Sequence, residues 1–318
     1  MTTMTGRTTA KTDPATGKRV HSRIQRRNNL YGFIFISPWL IGFIGLWLGP
    51  AIAALYFSFT NYNVLNSPKW IGLGNYVEMF TRDDLFWTSI QRTLYYAGVS
   101  VPLGVLGSMI LAILLNASLR GVTVFRTLFF MPSLVPVVAA AILWVWLLNT
   151  DWGILNQALR HLGWKHPPSW FGNRKWAIPS LIMMNLWGSV GGTRMIIFLA
   201  GLQGIPEELY DAAAIDGAGR WQRTLHVTLP LLTPTIFFNL VLGIIGALQA
   251  FDAAFLTVEG GPGFATWFFG LHIWKHAFQY FNVGYGAALA WFFALVIILI
   301  TVLQQRLSEK WVFYYGGR

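Results

Sequence analysis

Between residues 205 and 218 the chain carries four acids (Glu207, Glu208, Asp211 and Asp216) and no base, interleaved with Ala212, Ala213, Ala214 and Ala218. An Asp216-Gly217 dipeptide breaks the segment, which closes on Leu229-Pro230. These are not the parts of a catalytic centre. Acids, a low surface of small side chains and a glycine turn are what another protein needs in order to grip a loop closely. A second group of polar residues is scattered through apolar sequence: Asn185, Ser189, Arg194, Asn239, Gln249 and Asp252, with Trp187, Phe251 and Trp291 nearby. Polar groups inside a bilayer are costly and mark transport paths. Gln249, Phe251 and Asp252, within one helical turn, offer an amide and a carboxylate for hydroxyl pairs and a ring for a sugar face. The same polar residues also serve as glue between helices. Arg194 either faces an anionic substrate or snorkels toward an interface. His272 and His276 have the i, i+4 spacing of a metal pair; no third ligand is apparent, and a loop helix explains them equally well.

Several chemistries are excluded. The chain has no cysteine, so disulfides, thiol catalysis and cysteine-held metals are absent. There is no G-x-x-x-x-G-K-[ST] phosphate loop, since Gly17-Lys18 lacks the upstream glycine, and no G-x-S-x-G element. By these absences the chain is expected to hydrolyse no ATP itself and to bind no cofactor or metal, so that any energy it uses would come from a partner.

The elements that carry these residues are membrane helices. Of 318 residues 55% are hydrophobic and only 11% charged, well below the quarter or so usual in soluble domains. Apolar runs at 32–58, 94–118, 125–149, 177–201, 232–256 and 283–303 are each long enough to span. Prolines 50, 102, 132 and 136 predict kinks rather than breaks. The first run lacks the short core and small-residue cleavage site of a signal peptide. Residues 1–30 read as a disordered basic cytoplasmic tail, with seven Lys/Arg against Asp13 in the first 27. Such a tail before a span is an orientation signal rather than a nucleic-acid arm. Six spans then place both termini inside, with the transmembrane domain over 31–306 and a cytoplasmic tail over 307–318. Fourteen Lys/Arg fall on the inner side and eight in the outer connections.

The loop over 204–231 is cytoplasmic in this scheme. Pro206 followed by Glu207 and Glu208 starts a helix, which runs to Ile215 and stops where Gly217 supplies a left-handed turn. Asp216 is then expected to cap a second short helix through Trp221 and Leu225 toward Pro230. An amphipathic loop lying on headgroups would favour Lys and Arg, and this one is acidic.

Asp211-Ala212-Ala213, Asp216-Gly217-Ala218 and Val227-Thr228-Leu229-Pro230 together resemble the EAA loop of ABC importer permeases. The family pattern is Glu-Ala-Ala, a glycine four residues after the second alanine, and Ile-x-Leu-Pro. Asp211 replaces the glutamate, keeping the charge with a shorter reach. Trp70–Tyr76, Leu114-Leu115-Asn116, Phe125–Phe130, Gly260-Gly261-Pro262, Gly284–Ala288 and Trp311–Tyr315 are similar to carbohydrate-uptake permeases of the maltose and glycerol-3-phosphate type. The resemblance implies an all-α integral membrane fold, with six helices in the type I (MetI-like) architecture of the cell membrane. It also implies a second permease subunit, a cytoplasmic ATPase dimer holding ATP and Mg, and an external solute-binding protein delivering a sugar or oligosaccharide. Glu208, Asp211, Ala212, Ala213, Asp216, Gly217, Ala218, Leu229 and Pro230 would form the ATPase-coupling loop. Asn185, Ser189, Arg194, Gln249, Phe251 and Asp252 would line the substrate path. Two alternatives remain: the same machinery importing glycerol-3-phosphate or another anionic polyol, and an ATP-independent secondary transporter. The second predicts internal repeats, and none is evident.

Overall fold

The computed structural model describes residues 23–117 and 120–313, so most of the basic tail and the last residues, including Arg318, lie outside it. The chain divides into two units at Tyr56. The first is a helical rod: α1 (Arg23–Gly42), a π-helical stretch over Phe43–Leu48, and α2 (Gly49–Ser58), whose last residues pass the boundary. The helix begins at Arg23 rather than Tyr31, because residues 23–30 contain good helix formers and neither glycine nor proline. Phe35, Trp39, Ile41 and Trp47 are exposed around it, as expected of a helix that is apolar on all sides.

The second unit opens with an antiparallel pair, β1 (Thr60–Asn61) and β2 (Lys69–Trp70), with Thr60 opposite Trp70. Next come α3 (Gly74–Thr81), α4 (Asp84–Leu115), α5 (Val122–Phe130), α6 (Val137–Leu147), α7 (Ile154–His161), α8 (Ala177–Ser189) and α9 (Thr193–Gln203). The remainder is α10 (Glu207–Ile215), α11 (Arg220–Arg223), α12 (Leu229–Leu248), α13 (Asp252–Val258), α14 (Phe269–Trp274) and α15 (Val283–Ser308). The hub is α4, which packs on α8, α9, α12 and α14. Its buried face reads Ser89, Thr93, Ala97, Ser100, Gly104, Ser108 and Ala112. Small side chains three or four residues apart let neighbouring backbones approach, which replaces the hydrophobic drive that is missing in lipid. Around this stripe one cluster gathers Val105, Phe198, Leu202 and Leu232, and another Phe86, Phe269, Tyr285 and Phe293.

Four helical segments are long and apolar enough to cross a membrane: residues 27–58, 84–115, 220–248 and 283–308. Two bent pairs bring the number of candidate spans to as many as six. The third apolar run is broken, not kinked: a 3-10 turn over Met131–Leu134 separates α5 and α6, and the axes differ by 96°. Pro132 and Pro136 remove two amide donors, and Pro136 drives Val135 into the extended region (ψ 124°). Pro102, alone, leaves α4 continuous. The fourth run bends by 48° between α8 and α9, at Gly191-Gly192 and without proline. Bare backbone is needed there, since a Cβ on Gly191 would run into the carbonyl oxygen of Phe129. The fifth run ends as a helix at Leu248 and restarts at Asp252.

Candidate functional site

The acidic loop folds as a helix and a turn leading into a long helix. Pro206 is the residue before α10, with ψ 132°, rather than its first helical residue. Glu207 and Glu208 occupy the first turn, where the positive end of the helix dipole favours them. Ile205, Leu209 and Tyr210 pack on the core cluster, and the Tyr210 hydroxyl meets Thr228 Oγ1 at 3.0 Å. Glu208, Asp211, Ala212 and Asp216 are left exposed. Gly217 takes the left-handed turn, with φ +78°. The amides of Gly217 and Ala218 donate to the carbonyls of Ala214 and Ala213, closing the helix.

The second helix differs from the sequence expectation in two ways. Its cap is Gly219, not Asp216: two residues separate the left-handed turn from Arg220, and the Gln222 side chain reaches back to accept from the Gly219 amide at 2.7 Å. Nor is it a separate short helix. A π-helical stretch over Thr224–Thr228 joins α11 to α12, so residues 220–248 form one rod with Leu229 and Pro230 inside it. Arg223 donates to the Ala218 carbonyl at 2.9 Å, tying the turn to the rod. Between α10 and the rod lies a groove of about 320 Å³, walled by Ala213, Gly217, Ala218 and His226, with Ile215 (87% exposed) and Trp221 (72% exposed) standing free nearby.

A second cavity, also about 320 Å³, gathers Asn185, Arg194, Gln249, Phe251 and Asp252 with Tyr96 and Ser100. It forms where helices break. Asn185 projects from α8 near the bend, Arg194 lies in the first turn of α9, and Gln249 to Phe251 form the gap between α12 and α13, which Asp252 begins. The expected single turn of continuous helix is therefore a non-helical corner, with Phe251 at φ −136° and ψ −54°. Within a membrane bundle, irregular backbone of this kind is tolerated only against protein or a polar cavity. Ser189 stands just behind, donating to Asn185 Oδ1 at 3.4 Å. Trp187 packs edge-on against Trp144, and Asn239 is buried with its amide on the Thr235 carbonyl; neither these nor Trp291 lines the cavity. The Arg194 guanidinium lies between Gly104 of α4 and Gly243 of α12, against space that a Cβ on either would fill. These two glycines and Tyr96 escaped sequence reasoning. Gly243 and Gly246 inside an apolar helix were the available signal.

The histidine pair does acquire a third group, Asp83. Ligand-capable atoms of Asp83, His272 and His276 lie within 4.8 Å of one another. Hydrogen bonding accounts for most of this arrangement. Trp267 Nε1 donates to His272 Nδ1 at 3.0 Å, which places the His272 proton on Nε2. Nε2 donates to Asp83 Oδ2 at 2.7 Å, and Tyr285 donates to the same oxygen at 2.5 Å. Asp83 Oδ1 caps α4 through the Leu85 and Phe86 amides. Partial burial of Asp83 opposes its charge, but the bonds from His272 and Tyr285 outweigh that and pull the carboxyl down to about 2. Burial and the neighbouring His272 hold His276 neutral, with its pKa lowered to about 4. Asp83→Asn puts an amide N–H either against His272 and Tyr285 or against the helix amides. It should destabilise the protein by about 1–3 kcal/mol, read as a lower Tm in detergent. An unchanged Tm would show that the network contributes nothing.

A helical bundle with a lipid-ready surface, a polar cavity at helix breaks and an acidic helix-turn at one end has the parts of a membrane permease subunit. Residues 92–313 match the model of the family described as binding-protein-dependent transport system inner membrane component, and the chain belongs to that family. It is similar to the probable ABC transporter permease YesP of Bacillus subtilis strain 168, with 41% identity over 296 residues, covering 92% of this chain and 95% of that one. It is 31% identical over 286 residues to the sn-glycerol-3-phosphate transport system permease UgpA of Yersinia pestis, covering 89% and 95%. A crystal structure of a bacterial alginate ABC transporter, in complex with alginate pentasaccharide-bound periplasmic protein, contains a chain that superposes with TM-score 0.80. That chain is 26% identical, and the match covers 92% of this one and 98% of that one. The protein is a multi-pass membrane permease subunit of the sugar-type ABC importer class.

Proposed function

We propose that the chain spans the cell membrane six times with both termini inside, and imports a saccharide delivered by an external binding protein. A partner ATPase grips the 206–230 loop, a second permease subunit completes the path, and ATP with Mg stays on the partner. The observation that carries this reading is the loop's construction: exposed acids and alanines on α10, a left-handed turn at Gly217, and a following helix continuous with a span. The likeness to permeases serving alginate and sn-glycerol-3-phosphate supports a polyhydroxylated cargo. Such a cargo fits the cavity that offers Asn185, Gln249 and Asp252 to hydroxyls and Phe251 to a ring face. Basic residues 1–22 fit the inside assignment of the N-terminus.

Ala212 is exposed on α10 and makes no core contact, so Ala212→Arg should leave the fold intact while obstructing a docked protein. Co-purification of an ATPase from the membranes should drop at least about tenfold, the loss of ~1.4 kcal/mol of binding, with the amount of permease unchanged. Undiminished co-purification would reject the assignment of this face.

A further inference from the structure

We infer that the cargo is an acidic saccharide whose carboxylate is received by Arg194; this rests on the cavity being the sugar path. Arg194 Nη1 is buried without a hydrogen-bond partner, and no carboxylate among the described residues lies within ion-pair distance of the guanidinium. The site is nevertheless built for it. Gly104 and Gly243, on two different helices, leave the space it fills; a Cβ on Gly243 would lie 3.0 Å from Nη2. A cation held in a membrane bundle without an anion is costly and is kept for a function. A neutral sugar is already offered the amides of Asn185 and Gln249, and its hydroxyls can accept from the guanidinium but cannot neutralise its charge. Asp252 borders the same cavity but is exposed and starts α13. With that acid already present, one guanidinium suits a carboxylate monoanion better than a phosphate dianion. The geometry thus points to a uronic-acid oligosaccharide: carboxylate on the forked donors of Arg194, hydroxyls on the amides.

The test is uptake by cells carrying the complete importer, with wild type, Arg194→Gln and Arg194→Lys compared. The probes are digalacturonate and dimannuronate, their carboxyl-reduced neutral counterparts, and glycerol-3-phosphate. Wild type should take up at least one uronide in preference to its reduced counterpart. In Arg194→Gln that uptake should fall by about 30-fold or more, the loss expected when one partner of a buried charge pair is removed. Arg194→Lys should recover part of it, and permease abundance should hold. Equal loss for acidic and neutral probes, as expected if Arg194 pairs with Asp252 during gating, would overturn the inference. So would a wild type that prefers the neutral sugar, or one that imports glycerol-3-phosphate alone. These wild-type arms decide even if Arg194→Gln fails to fold. Neutral uptake that survives Arg194→Gln would leave the sugar reading standing; uptake of no saccharide at all would remove both.

Discussion

Gly217→Val should abolish transport while the permease still accumulates in the membrane at its normal level. The reason is conformational rather than steric. No atom lies within 4 Å of where a Cβ on Gly217 would sit, but the residue holds φ +78°. An L-residue pays about 1–2 kcal/mol there, and a β-branched one more. That is small beside the stability of a bundle but large for a surface turn held by the amides of Gly217 and Ala218 and by one bond from Arg223. The turn opens, α10 loses its angle to the following rod, and the docking face is no longer presented as one surface. Gly217→Asn is the control, because asparagine visits the left-handed region readily; it should transport at close to the wild-type rate. Uptake by the valine variant, or failure of both variants, would refute the role given to the turn.

The second large effect is expected at Gly191. A methyl group there collides with the Phe129 carbonyl oxygen and carbon, which are backbone atoms at the end of α5 and have no rotamer to yield with. Gly191→Val should cost about 3 kcal/mol or more, at the upper end of overpacking penalties, and should displace the bend that aims Arg194. Detergent-solubilised protein would lose several degrees in Tm, and uptake would fall with it. Gly98, facing open space on α4, should accept alanine without loss. Equal effects at the two glycines would mean that the close approach is not what fixes the bend.

How much of this was legible depended on whether a feature was local. Glu207, Glu208 and Gly217 announce a helix start and a left-handed stop by residue type alone, and α10 with its turn follows them closely. Asp216 was misassigned as a cap, because the two residues that precede Arg220 depend on where the Gly217 turn sends the chain. Apolar run length located the spans, but not where they break. Pro132 and Pro136 act together, and Gly191-Gly192 gives way to the backbone of a helix some sixty positions earlier in sequence. Those breaks, invisible to periodicity, build the cavity, which is why Asn185, Arg194 and Gln249 could be recognised as costly but not as neighbours. Asp83 likewise lies 189 positions from His272, beyond the reach of any spacing rule.

The continuity of residues 220–248 has a mechanical consequence. At 1.5 Å per residue a helix of this length is a rod of about 43 Å, with Trp221 free at one end and Gly246 on the cavity wall at the other. A tilt of about 5° swings one end of such a rod by roughly 4 Å relative to the other, enough to alter the clearance of the cavity that Gly246 helps to wall. Gly243, which makes room for the Arg194 guanidinium, is carried on the same rod. A handle that is also a wall needs no relay between them: under the proposed function, a partner that held the loop would have the cavity at the end of its lever.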